Sequence, residues 1–161
     1  MSDEPVPPLR LSVGLACSAE HAFHVWTARI AAWWPPEHRA TAETQTEVIL
    51  EPRLGGRLFE RTLSGREVQW GEITVWDPPR RLVYLWHIRR DRADATEVEI
   101  SFVPIEPDAA RVDIVHRGWD RLGAAGPGWR DRNAAGWNGV LPDFIRAAEC
   151  TNGESTAAPP A

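Results

Sequence analysis

From about residue 45 to residue 118 the chain alternates apolar and polar residues in six short runs. They are "TEVILEP" (46–52), "RLFERT" (57–62), "EVQWGEITVWD" (67–77), "RLVYLWHIR" (81–89), "TEVEISFVP" (96–104) and "ARVDIVHRG" (110–118). A period of two sends successive side chains to opposite faces of an extended strand. The links between runs, such as "RLGG" (53–56) and "PPRR" (78–81), are short and rich in turn formers. A parallel pair needs a crossover of roughly a dozen residues or more, so these strands must pair antiparallel, as a meander. "RLGG" supplies the glycines that a tight hairpin uses for positive φ.

The flanks change period. "LSVGLACS" (11–18) reads as a further strand, and Ser18 stands where an N-cap belongs. A helix is predicted from Ala19 to Arg29, with Ala22, Phe23, Val25, Trp26 and Ile30 making one face apolar. "AAWWPP" (31–36) ends a second short helical turn, because each proline disfavours helix in the residue before it. After a glycine-rich loop, residues 129–149 read as a long terminal helix. The order is strand, two short helices, six strands, long helix. This predicts an α+β domain of about seven strands, a curved antiparallel sheet around the terminal helix with a natural pocket between them.

With 161 residues, 43% of them hydrophobic, the chain suits one domain, expected over 9–149, with loose tails at 1–8 and 150–161. The formal charge is −5 and all 18 basic residues are scattered arginines, so no basic stripe suits a phosphate backbone and nucleic acid is excluded. No stretch of about 18 apolar residues and no charged leader is present, so no membrane span and a cytoplasmic location are expected. Cys17 and Cys150 are expected as reduced thiols. "RLGGR" is wrongly framed for a phosphate loop, and no G-x-S-x-G elbow exists. Neither a metal nor a cofactor is implied.

Nine tryptophans exceed what such a core needs, so some are candidates to line a pocket. On the terminal helix, Trp129, Asn133, Gly136, Trp137, Val140, Leu141, Phe144 and Ala148 fall on one arc of about 140°. An ordinary core helix explains the aromatics. Gly136 suits either a close helix-to-sheet approach or room for a ligand. Asn133 is the polar side chain in the middle of that arc and needs partners when buried. On the last strand His116 shares the inward face with Val112 and Ile114, as a core histidine or as a general base. Trp70, Tyr84 and Trp86 lie on middle strands whose inward face is ambiguous, since both faces of "RLVYLWHI" are apolar. Glu60 and Glu72 are the carboxylates expected to approach a cavity, without forming an acid/base couple. His21 and His24 lie three apart but lack a third metal ligand; His38 and His87 add no site.

"AFHVWT" (22–27), "WWPP" (33–36), "LEPRLGGRL" (50–58), "WGEITVWDPPRRLVYLW" (70–86), "TEVEISF" (96–102) and "IVHRGW" (114–119) resemble the activator of heat-shock protein 90 ATPase-like group of the SRPBCC, or START-type, superfamily. The resemblance covers roughly residues 9–149. It implies a helix-grip fold with an internal, mostly hydrophobic cavity. The expected function is binding of an aromatic or lipid-like small molecule by Trp70, Tyr84, Trp86, His116, Trp129, Asn133 and Trp137. A polyketide cyclase-like or dehydratase-like enzyme and a co-chaperone-like module for heat-shock protein 90 are the alternatives. No catalytic residue is assigned, and a homodimer is left open.

Overall fold

The six period-two runs do form consecutive antiparallel neighbours, and the first strand joins beside the last of them. The computed structural model describes residues 5–41, 43 and 45–156. In chain order the elements are β1 (Leu9–Leu15), α1 (Ala19–Thr27), α2 (Ile30–Trp33), β2 (Glu47–Leu50), β3 (Arg57–Arg61), β4 (Glu67–Asp77), β5 (Arg81–Trp86), β6 (Thr96–Glu106), β7 (Ala109–Arg117) and α3 (Gly126–Thr156). One seven-stranded sheet results, in the order β1-β7-β6-β5-β4-β3-β2, curled around α3.

The curl has local causes. Register shifts interrupt the β3–β4, β4–β5 and β6–β7 ladders, and such bulges bend a strand and raise its twist. Gly71 sits at the inside of this bend, where a Cβ would come within 1.9 Å of the Leu85 carbonyl oxygen, so no side chain fits. The ambiguity of β5 is resolved by its place at the centre of the sheet. Leu82, Tyr84 and Trp86 point inward and are buried, while Val83 is buried on the opposite face. Elsewhere the outer face carries charge, with Arg117 bridging Glu97 and Glu99 across β6 and β7.

Ser18 caps α1 as expected, its side chain accepting from the His21 N–H. The helix stops at Thr27, two residues short of expectation, because Arg29 leaves helical geometry (φ −111°, ψ 19°) to become the N-cap of α2. α3 begins at Gly126, three residues earlier than expected. Pro127 suits a first helical turn, where a missing N–H costs nothing. The preceding stretch is a 3-10 turn, Trp119–Ala125, entered through Gly118 at φ 98°. It is held down by Trp119, fully buried, whose indole N–H donates to the His116 carbonyl at 3.0 Å. Pro142 lies inside α3 on its exposed side, where water can replace the lost bond.

Of the two tails, residues 1–4 and 157–161 lie outside the described residues, and the backbone continues as helix through Thr156. The part of the N-terminal tail that is described is tied down. The Val6 N–H donates to Asp120, and Arg130 donates to the carbonyls of Pro7 and Pro8. The core under α3 is aromatic: Trp26 meets Phe144 at 4.7 Å, Trp33 at 5.1 Å and Trp137 at 6.0 Å between ring centroids.

Candidate functional site

A cavity of about 300 Å³ opens between α3, the end of β5 and the segment that follows α2. Its walls are aromatic. Pro35 forces Trp34 out of α2 into an extended conformation (ψ 119°) and turns its ring toward Trp86, with centroids 5.8 Å apart. Helix α3 contributes Trp129, Arg132, Asn133, Gly136, Trp137 and Val140, a stripe at three-and-four spacing. The rim is polar and basic. His38 closes one side against Gly139, where a Cβ would come within 2.3 Å of the His38 ring nitrogen. Arg89 and Arg90 close another, on a turn that Arg89 makes possible with φ at 61°. Arg90 donates to the Trp86 carbonyl at 3.3 Å and to the Asp94 carbonyl at 2.7 Å. Burial pulls its pKa below the ordinary guanidinium value.

Four of the seven residues singled out from sequence line this cavity: Trp86, Trp129, Asn133 and Trp137. Asn133 is half-buried, and its amide donates to the Trp129 carbonyl at 2.8 Å, one turn back along α3. The other three stand behind the wall. Trp70 packs under Trp34 and Trp86 at 5.3 and 5.9 Å, and Tyr84 lies 6.0 Å from Trp86. Burial raises the Tyr84 pKa, which keeps its hydroxyl protonated.

His116 is fully buried and both ring nitrogens are engaged. An indole N–H can only donate, so the bond from Trp137 Nε1 at 3.1 Å makes His116 Nδ1 the acceptor. The neutral ring then carries its proton on Nε2 and donates to Thr96 Oγ1 at 2.7 Å, and Thr96 donates on to the Trp86 carbonyl. This chain joins β7, β6, β5 and α3. Burial, helped by the Arg90 charge, pulls the imidazole pKa down to about 3. A ring with both nitrogens occupied and so low a proton affinity locks the helix to the sheet and is poorly placed for acid/base work.

Glu60 and Glu72, expected near a cavity, do not line this one. Glu60 is fully buried and accepts from the Ala40 N–H, the Thr41 N–H and the Thr41 hydroxyl. Glu72 pairs with Arg92 at 2.7 Å on the outer surface. His21 bonds the Ala148 carbonyl at 3.1 Å, and no group of three metal-ligating side chains occurs among the described residues. Cys17 is a buried free thiol, raised to about 11 by burial and then by Glu149, too basic to be a good nucleophile. Sequence reasoning missed Trp34, His38, Ile88, Arg89, Arg90 and Arg132. For the arginines a signal existed: "HIRRDR" holds three arginines, more than any other link between consecutive strands.

The fold and site can be set beside known proteins. No curated protein matches the sequence. Among solved structures, the anthrahydroquino-gamma-pyrone synthase Txn09 is 33% identical, with 89% of this chain and 97% of that chain covered and a TM-score of 0.61. The self-sacrificing resistance protein CalC from Micromonospora echinospora is 25% identical over 92% and 96%, at 0.62. An HSP90 activator from Plasmodium falciparum, 17% identical over 88% and 94% at 0.61, shares the fold. No helix among the described residues is long and apolar enough to cross a membrane. Residues 16–148, which take in β2 to β7 and most of α3, match the family model "Activator of Hsp90 ATPase homolog 1-like protein", and the chain belongs to that family.

Proposed function

We propose that this domain binds a hydrophobic, aromatic small molecule in the cavity beside α3. The observation that carries this reading is Gly136. A glycine inside a helix costs about 1 kcal/mol against alanine, which a close helix-to-sheet approach would explain. Yet a Cβ at Gly136 would meet nothing within 4 Å, and the residue lines the cavity. Its missing side chain keeps space open between Trp129, Trp137 and Trp86. About 300 Å³ lies at the lower end of small-molecule sites and suits two or three fused rings. Similarity to a synthase named for an anthrahydroquinone-fused pyrone supports a flat polycyclic guest.

A Gly136→Leu chain is therefore expected to melt about 2–4 °C higher, from helix propensity alone. It should also lose saturable binding of the neutral probe anthraquinone-2-carboxamide, followed by calorimetry. A variant that binds the probe as wild type does would count against the cavity.

The likeness to Txn09 also favours a second reading, catalysis on such a guest. In that case His38, the one imidazole on the cavity lining, would move the proton. Turnover of a quinone polyketide by wild type but not by His38→Gln would establish it. The family name keeps a chaperone contact open, but no feature of the cavity argues for one.

A further inference from the structure

Resting on that reading, we infer that the aromatic guest is an anion, its carboxylate-like group held at the cavity mouth by Arg89, Arg90 and Arg132. The protein as a whole is negative, at −5, and most of its sheet arginines are matched to acids, such as Arg57 to Glu51 and Glu67 and Arg117 to Glu97 and Glu99, as is Arg92 on the β5–β6 link, to Glu72. The three at the mouth are different. Among the described residues none of the three has a carboxylate within ion-pair distance, and no acidic side chain lines the cavity. Arg90 and Arg132 each lie over the same Trp129 ring, 4.9 Å from its centroid. Two like charges thus lie against one aromatic ring, at a cost that an anion within reach of both would relieve.

Asp91 and Asp94 line an adjoining groove together with Arg89, Arg90 and Arg121. Asp94 gives Arg90 its backbone carbonyl as a hydrogen-bond acceptor and acts on it with its charge as well, but forms no ion pair with it, so the guanidinium keeps donors to spare. Arg89 likewise donates to a carbonyl, that of Arg39. The Arg90 charge also reaches inward to His116, so the positive field extends into the aromatic end of the site. A planar acid would lay its rings between Trp34, Trp86 and Trp137 and present its charge to the fork of the arginines.

The test compares anthraquinone-2-carboxylate with its isosteric neutral carboxamide. Wild type should bind the carboxylate about tenfold more tightly at low salt, with the preference shrinking as salt is raised. An Arg89→Gln/Arg132→Gln chain, which leaves Arg90 and its bonds to Trp86 and Asp94 in place, should lose most of the preference, its affinity for the carboxylate falling more than its affinity for the carboxamide. Equal binding of both probes by wild type overturns the anion and leaves the aromatic cavity standing. A preference undiminished in the double variant overturns the arginine assignment. Failure of both probes to bind wild type removes the cavity reading, and this inference with it.

Discussion

A Glu60→Ala chain is expected to lose about 3 kcal/mol of stability, and with it much of the cavity's shape. The Glu60 side chain is fully buried on β3, and its two oxygens take three hydrogen bonds, at 2.8 and 3.3 Å from the Ala40 and Thr41 N–H groups and at 2.6 Å from the Thr41 hydroxyl. Truncation leaves three donors without an acceptor in a site where water replaces it poorly, at roughly 1 kcal/mol each. The segment so anchored also carries Trp34 and His38 to the cavity, with Arg39 donating back to the Trp34 and Thr46 carbonyls. Urea unfolding should show a lower midpoint with little change in slope. A loss below about 0.5 kcal/mol would mean that the anchor is replaced by water.

The second large effect is on acid stability. His116 is neutral in the fold, its pKa held at about 3 against an ordinary value of 6.5. As pH falls below about 6.5, the unfolded chain takes up a proton that the folded chain refuses. This contribution is therefore complete above about pH 6.5 and is lost progressively toward pH 3, at up to roughly 1.4 kcal/mol per pH unit. In His116→Gln the amide can still accept from Trp137 and donate to Thr96, but it cannot titrate. The variant should start less stable at pH 8 and lose less on acidification. Wild-type and variant stabilities that fall in parallel from pH 7 to pH 4.5 would show that this histidine is not the group responsible.

Much of the architecture was legible because it is written in periods. Alternation by two over residues 46–118 dictates the meander, and the Ser18 cap dictates where α1 starts. Where it failed, a backbone conformation or a distant partner decided the outcome. The strand predicted through Arg89 stops at Trp86, because Arg89 adopts a left-handed conformation and starts the basic turn at the cavity mouth. Gly126 and Pro127 look like loop residues but begin α3. Glu60 reads from sequence as a carboxylate that approaches a cavity, since a buried carboxyl with local donors and one facing a cavity have the same sequence pattern. The α3 half of the site could be read off a helical projection. The other half could not, because Trp34, His38, Arg89 and Arg90 come from irregular segments whose directions follow no period. The question of an open or a self-filled cavity also needed coordinates. Trp26, Trp70, Tyr84 and Trp119 fill the inner part, and Trp34, Trp86, Trp129 and Trp137 surround the outer space.

The nine tryptophans make that division directly measurable. In a two-dimensional proton–nitrogen spectrum each indole N–H gives its own resonance. Titration of wild type with anthraquinone-2-carboxamide should shift the Trp34, Trp86, Trp129 and Trp137 signals together and saturably. The Trp76 signal should stay in place, since that ring packs on Phe23, away from the cavity lining. Saturable shifts centred on Trp76, or unchanged cavity indoles at saturating probe, would contradict an aromatic binding site between α3 and the sheet.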